Sequence, residues 1–208
     1  MINDGTSLVN KSSGTINNVG GLITNGAGAG FTNHGTVVND AASNFVLRNA
    51  ATLTNSGSFT NAGVFNTTSG GGNVVIGSGG TLVNSGTLNQ GGVGVFSAKS
   101  GSKITNSGRI NMFESLLDNG GSIENSGIVE VFHFGAYQNL SGELNNRTGG
   151  TLTITGSVNN LSNSIINNSG EIANNRTLVN AGTITNSCGG TLTGPVNGNQ
   201  PVDSCSIV

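Results

Sequence analysis

Tryptophan is absent from this 208-residue chain, aromatic residues make up 4% of it and charged residues only 8%. A conventional globular core is poorly supplied with large side chains here, whereas a stack of thin layers needs fewer of them. Such low charge argues against a charge-driven disordered chain. Seven lysines and arginines stand singly against nine acids, for a net charge of -2. With no basic stripe to neutralise phosphates, nucleic acid is not an expected partner. No apolar run approaches the roughly 20 residues of a membrane-spanning helix, so membrane insertion is not expected either. Met1-Ile2-Asn3-Asp4 has neither the basic nor the apolar region of a signal peptide. The composition nonetheless points outside the cell, so the expectation is an extracellular, cell-surface or envelope protein whose leader has been removed or replaced. Two prolines, Pro195 and Pro201, and two cysteines, Cys188 and Cys205, complete the scarcities, all close to the C-terminus.

What is abundant is glycine, 36 residues, together with asparagine. They recur in a cassette of apolar residue, any residue, Asn, small residue, Gly, any residue, apolar residue. Clean copies are Leu53 to Phe59, Leu82 to Leu88, Ile104 to Ile110, Ile123 to Val129, Ile166 to Ile172 and Leu178 to Ile184. Several apolar positions follow a Gly-Gly-Thr/Ser turn, as in Gly79-Gly80-Thr81-Leu82 and Gly149-Gly150-Thr151-Leu152. A unit this short cannot bury its apolar residues alone and must bury them against the next copy. Apolar residues alternate with polar ones over strand lengths, as in Thr151-Leu152-Thr153-Ile154-Thr155, and no helical period is sustained. Asn and Gly tolerate the left-handed backbone of a corner, so the cassette reads as strand, corner, strand.

The expected fold is all-β: a single-stranded parallel β-helix, a β-solenoid of stacked β-arches. About eight or nine irregular coils, each rising about 4.8 Å, would give a rod roughly 40 Å long. The uneven spacing favours a right-handed form, because left-handed hexapeptide helices hold a stricter period. Residues 1–187 are expected to form the solenoid and 188–208 a Pro/Cys cap segment, since proline cannot donate to a ladder. Stretches Gln90 to Lys99 and Met112 to Asp118 read as loops or strained coils, the second with helical flavour.

In the cassette the Asn lies two residues after an apolar position and shares its inward face. In-register stacking would set Asn55, Asn84, Asn106, Asn125, Asn168 and Asn180 in amide ladders along the axis; the alternative is solvent-facing turn formers. Leu8, Val9 and Ile16, near the N-terminus and without proline or a covering helix, are the candidate assembly edge. Phe132, Phe134 and Tyr137, with Phe113 nearby, read either as a core stack or as a lateral contact with another subunit. Cys188 and Cys205 are disulfide candidates: a bridge within the chain would contribute about 3 kcal/mol in the chain-entropy account, while free thiols or a bridge between chains remain open.

Catalytic and metal chemistry have little to work with. Glu114, Asp118, Glu124, Glu130 and Glu143 form the densest acidic stretch, and without aromatic platforms and basic residues beside them they read as a solvated face. His34 and His133 lack partners at metal-ligand spacing. The glycine runs are not followed by the Lys-Ser/Thr pair of a phosphate loop. No catalytic, cofactor or metal site is expected. Threonine ranks that could bind ice are broken at Lys103 and Glu124. Seven Asn-x-Ser/Thr sequons occur, about as many as chance supplies in such a composition.

The Asn-Ser-Gly-x-Leu cassettes with Gly-Gly-Thr-Leu turns, over roughly residues 14–193, resemble the repeat regions of Asn/Gly-rich surface proteins. These are the passenger domains of autotransporter adhesins and filamentous haemagglutinin-like exoproteins, and the amyloid-like β-arch proteins of archaeal cell sheaths. The resemblance implies a β-solenoid and a non-enzymatic surface role. It is either self-assembly into a sheath or filament, with other copies of the chain as partner, or adhesion, with cell-surface glycans or other envelope proteins as partners.

Overall fold

The computed structural model describes residues 2–3, 5–67 and 70–205. Among these there is no helix. Short strands, mostly of four residues, follow one another, and every third strand joins the same sheet. Three ten-stranded sheets result, all pairings parallel, so that about nine turns of a β-solenoid separate the first strand of a sheet from its last. One coil illustrates the plan. Arg109–Met112 lies in the first sheet, Leu116–Asn119 in the second and Ser122–Asn125 in the third. The next coil repeats them as Ile128–Val131, Ala136–Asn139 and Glu143–Asn146. The registers Ile110↔Val129, Leu117↔Tyr137 and Ile123↔Leu144 set inward residues on inward residues.

Alternation within a four-residue strand puts its second and fourth positions inside. In Thr52–Asn55, for example, Leu53 and Asn55 are buried and Thr52 and Thr54 half-buried. The second position is apolar almost throughout and makes one column per sheet; the third-sheet column includes Val37, Phe59, Leu82, Ile104, Ile123, Leu144, Ile166 and Ile184. Near the N-terminal end all three sheets supply phenylalanine. Phe45 meets Phe31, Phe59 and Phe65 with ring centroids 5.1–5.6 Å apart. That is the main aromatic cluster, assembled by stacking from residues scattered in sequence.

Glycine serves the corners in two ways. In the two-residue corners of the cassette, the need is for close approach: a Cβ on Gly86 would sit 2.1 Å from the Gly63 carbonyl oxygen, and one on Gly108 2.1 Å from that of Gly86. In the four-residue corners the third residue often has positive φ, as at Gly79 (76°) and Gly149 (83°), and the glycine after it again abuts the coil below. The Gly-Gly pair thus answers two separate constraints. The left-handed backbone expected in the Asn-Ser-Gly corners is absent there: Asn84, Gly86, Asn106 and Gly108 are not among the positive-φ residues.

The cassettes do not fill one column. Leu82, Ile104 and Ile123 lie in the third sheet, Leu53 and Leu178 in the second and Leu152 in the first. The same turn serves two of the three corners, and corners of different length separate the copies. Turn-to-turn separations along the asparagine columns are accordingly 18–23 residues, more even than the cassette spacing suggests. Regions read as loops also join the sheets. Val95–Ala98 and Leu116–Asn119 are ordinary strands, and the helical flavour of Met112 to Asp118 is a three-residue corner between two strands. The 187/188 boundary is likewise no break in the sheets. Thr191–Thr193, Asn197–Gly198 and Val202–Asp203 add a last strand of two or three mostly exposed residues to each.

Candidate functional site

Inside the solenoid the fourth strand position creates a polar spine. In the third sheet, Asn18, Asn39, Asn61, Asn84, Asn106, Asn125, Asn146, Asn168 and Asn186 form an unbroken column. Each Nδ2 donates to the Oδ1 of the next coil at 2.7–2.8 Å. The amide also donates to nearby backbone, as Asn84 does to the carbonyl of Arg109 at 3.1 Å. Inside the column each buried carboxamide both donates to and accepts from protein groups, which removes the penalty of burying it. A second column in the second sheet runs Asn10, Asn33, Asn55, is interrupted by Ile76 and Ala98, and resumes as Asn119, Asn139, Asn160, Asn180. The asparagines singled out in sequence therefore divide: Asn84, Asn106, Asn125 and Asn168 share the first column, while Asn55 and Asn180 belong to the two halves of the second.

Both columns have one polarity. Every link donates toward the C-terminal coil, so the first coil ends on acceptors and the coil that carries Asn180 and Asn186 ends on donors. Among the described residues no donor reaches Asn10 Oδ1 or Asn18 Oδ1. These residues close Ser7–Asn10 and Thr15–Asn18, the outermost strands of the second and third sheets. The proposed edge residues sit on them: Leu8 and Ile16 are half-buried against the core, and Val9 is 53% exposed.

The other end is covered by the tail. Asn180 Nδ2 donates to the Asn199 carbonyl at 2.8 Å and Asn186 Nδ2 to Asp203 Oδ1 at 3.3 Å. Asn174 Nδ2 donates to the Pro195 carbonyl. Cys188 and Cys205 are bonded within the chain, their Cα atoms 5.0 Å apart, which ties the tail to the corner before the last coil.

Of the three aromatic residues proposed for a lateral contact, Tyr137 is in the core. Its ring is 2% exposed, and its hydroxyl accepts from Asn119 Nδ2 at 3.3 Å. Burial pushes its phenol well above the usual range, with the Asn119 hydrogen bond opposing. Neither phenylalanine is inward, so the core-stack reading fails for them. The four-residue corner 132–135 breaks the alternation on which it rested. Phe132 stacks on Phe113 of the preceding coil at 4.3 Å, and Phe134, 73% exposed with φ 68°, borders a groove of about 220 Å³ with Ser157, Arg176 and Thr177.

The acids are dispersed. Glu124 pairs with Arg147 at 2.6 Å and raises that guanidinium's pKa, Glu130 pairs with Arg109, and Glu143 accepts from Asn167. Burial raises the Asp118 carboxyl against the opposing charge of Lys99. Asp40 is held below its ordinary value, first by the Ser43 hydroxyl and then by the Gly20 amide. Among the described residues no group of three His, Cys, Asp or Glu is placed to hold a metal ion. Among the described residues no helix is long and apolar enough to cross a membrane. The packed core between Ile104, Leu117, Ile123 and Tyr137 leaves about 10 Å³, no more than one water needs.

No protein-family model and no curated protein matches the chain. Among solved structures, the TibC-catalysed hyper-glycosylated fragment of TibA aligns over 99% of this chain and 97% of that one. The identity is 16% and the TM-score 0.21, too low to support an argument about this chain.

Proposed function

We propose that the chain is a non-catalytic extracellular structural protein that stacks end to end with copies of itself into a cell-surface sheath or filament. The observation that carries this reading is the first coil. Among the described residues, the two outermost strands, Ser7–Asn10 and Thr15–Asn18, have no strand or helix on their outer side and carry half-buried Leu8 and Ile16, with no proline or charged residue in either strand. Edges of this kind recruit further strands unless something blocks them. Sedimentation of the purified chain over a wide concentration range, with negative-stain microscopy, tests it. Growth into filaments or hoops is expected; dispersed single rods at every concentration contradict the reading.

A second reading, an adhesin, draws on one specific feature. Phe134 is a bulky residue in left-handed backbone and lies exposed beside Arg176 and two hydroxyl side chains, and such strain collects at functional corners. Binding of the chain to cells or immobilised glycans, lost in a Phe134→Gly variant, would favour it.

A further inference from the structure

We propose that the two ends of the solenoid are halves of one homotypic joint, and that the disulfide-tied tail is a removable cap on its donor half. This rests on the end-to-end reading above and names its surfaces.

In the ninth coil, Glu171–Asn174, Thr177–Asn180 and Thr183–Asn186 all end in asparagine. In the first coil the same fourth positions are Asn3, Asn10 and Asn18, as the registers Asn3↔Asn25, Asn10↔Asn33 and Asn18↔Asn39 show. Between Asn25 and Asn174 the first sheet departs from asparagine at this position, with Leu47, Met112, Val131 and Ile154 through the middle of the rod. The strand sequences also correspond: Ser7-Leu8-Val9-Asn10 against Thr177-Leu178-Val179-Asn180, and Thr15-Ile16-Asn17-Asn18 against Thr183-Ile184-Thr185-Asn186. Laying a second copy's first coil on the ninth coil continues both columns in the polarity they already have. Asn180 Nδ2 faces an Asn10 Oδ1, and Asn186 Nδ2 faces an Asn18 Oδ1. Head-to-head stacking instead sets acceptor against acceptor.

Within one chain the tail occupies that place. It accepts from Asn174, Asn180 and Asn186 and adds no asparagine column beyond them. Its pairing is thin, two residues in each of the second and third sheets, and Gly198 there has φ 99°. A dithiol reductant supplies two electrons and two protons, Cys188 and Cys205 each become a thiol, and the dithiol closes into its own disulfide. The tail is then held by three short strands, one of them Thr191–Thr193 in the first sheet, by Leu192 and Val196 against the core and by a few side-chain bonds, and a second copy's four-residue strands compete for the same donors.

The test is sedimentation of wild-type protein with the bond intact, of protein reduced by a dithiol, and of a Cys205→Ser variant. Each is repeated with Val9→Lys, an exposed outward substitution that the register sets beside Val179 of the neighbouring copy. The expected result is assembly at about tenfold lower concentration once the bond is broken, a shift equivalent to about 1.4 kcal/mol. Val9→Lys should abolish that gain, and mixing it with a Val179→Glu chain should restore mixed stacks. Assembly equally good with the bond intact, or unaffected by Val9→Lys, leaves self-assembly standing and overturns this joint and its cap. A monomer under every condition overturns the joint and the proposed function together.

Discussion

At the scale of single residues, the fold depends on how close adjacent coils come. Gly108 lies with its Cα against the Gly86 carbonyl, and the Cβ of an alanine would come within 2.1 Å of that backbone oxygen. No rotamer relieves such a contact, so Gly108→Ala should destabilise by about 1–3 kcal/mol, the range of overpacked sites. Gly149 has open space around its Cβ position but φ 83°, so Gly149→Ala should cost about 1 kcal/mol through backbone strain alone. Urea unfolding of both variants checks the order, and equal losses would mean that close approach is not what the cassette glycine serves. Asp118 gives a pH signature. Its Oδ1 is buried without a partner, and burial raises its pKa in the fold above 3.8. An acid raised in the folded state binds protons more tightly there, so its penalty is absent at low pH and grows as pH rises through that interval. Asp118→Asn should therefore be more stable than wild type at pH 7, with the gap closing below about pH 3.8; a gap independent of pH would refute the desolvation account.

At the scale of strands and corners, the inward second position sets stability and the corner sets sequence spacing. Ile123 is 3% exposed in the column between Ile104 and Leu144. Ile123→Ala should cost about 2–4 kcal/mol in a denaturant titration, whereas a loss below about 0.5 kcal/mol is what a surface site gives. Much of this element scale is readable in the sequence. The cassette announces strand, corner, strand, and the two-residue offset of asparagine from the apolar residue puts both on the inner face. Which sheet a strand joins is not readable, because the Asn-Ser-Gly turn is chemically the same at two of the three corners. A longer corner such as 132–135 also resets the alternation. That is why Tyr137 reads as a partner of Phe132 and Phe134 when it is the core residue paired with Leu117 in the ladder. The phenylalanine cluster at Phe31, Phe45, Phe59 and Phe65 is hidden for the same reason. Its members become neighbours only once the period of about 22 residues is known.

At the scale of the whole molecule, the asparagine columns give the rod a direction, with acceptors at the first coil and donors at the ninth. The cysteines could be read as a pair from the sequence, but the role of their bond could not. Its consequence depends on the tail lying over the ninth coil, which only the stacking reveals. The measurement that tests the account most directly is electron cryomicroscopy of assemblies grown from the tail-released Cys205→Ser chain. Nine coils at about 4.8 Å each predict an axial subunit repeat of about 43 Å, with the strand layers continuing unbroken across the junction. Side-by-side rods, a gap or reversed strand direction at the junction, or a repeat unrelated to nine layers would contradict it.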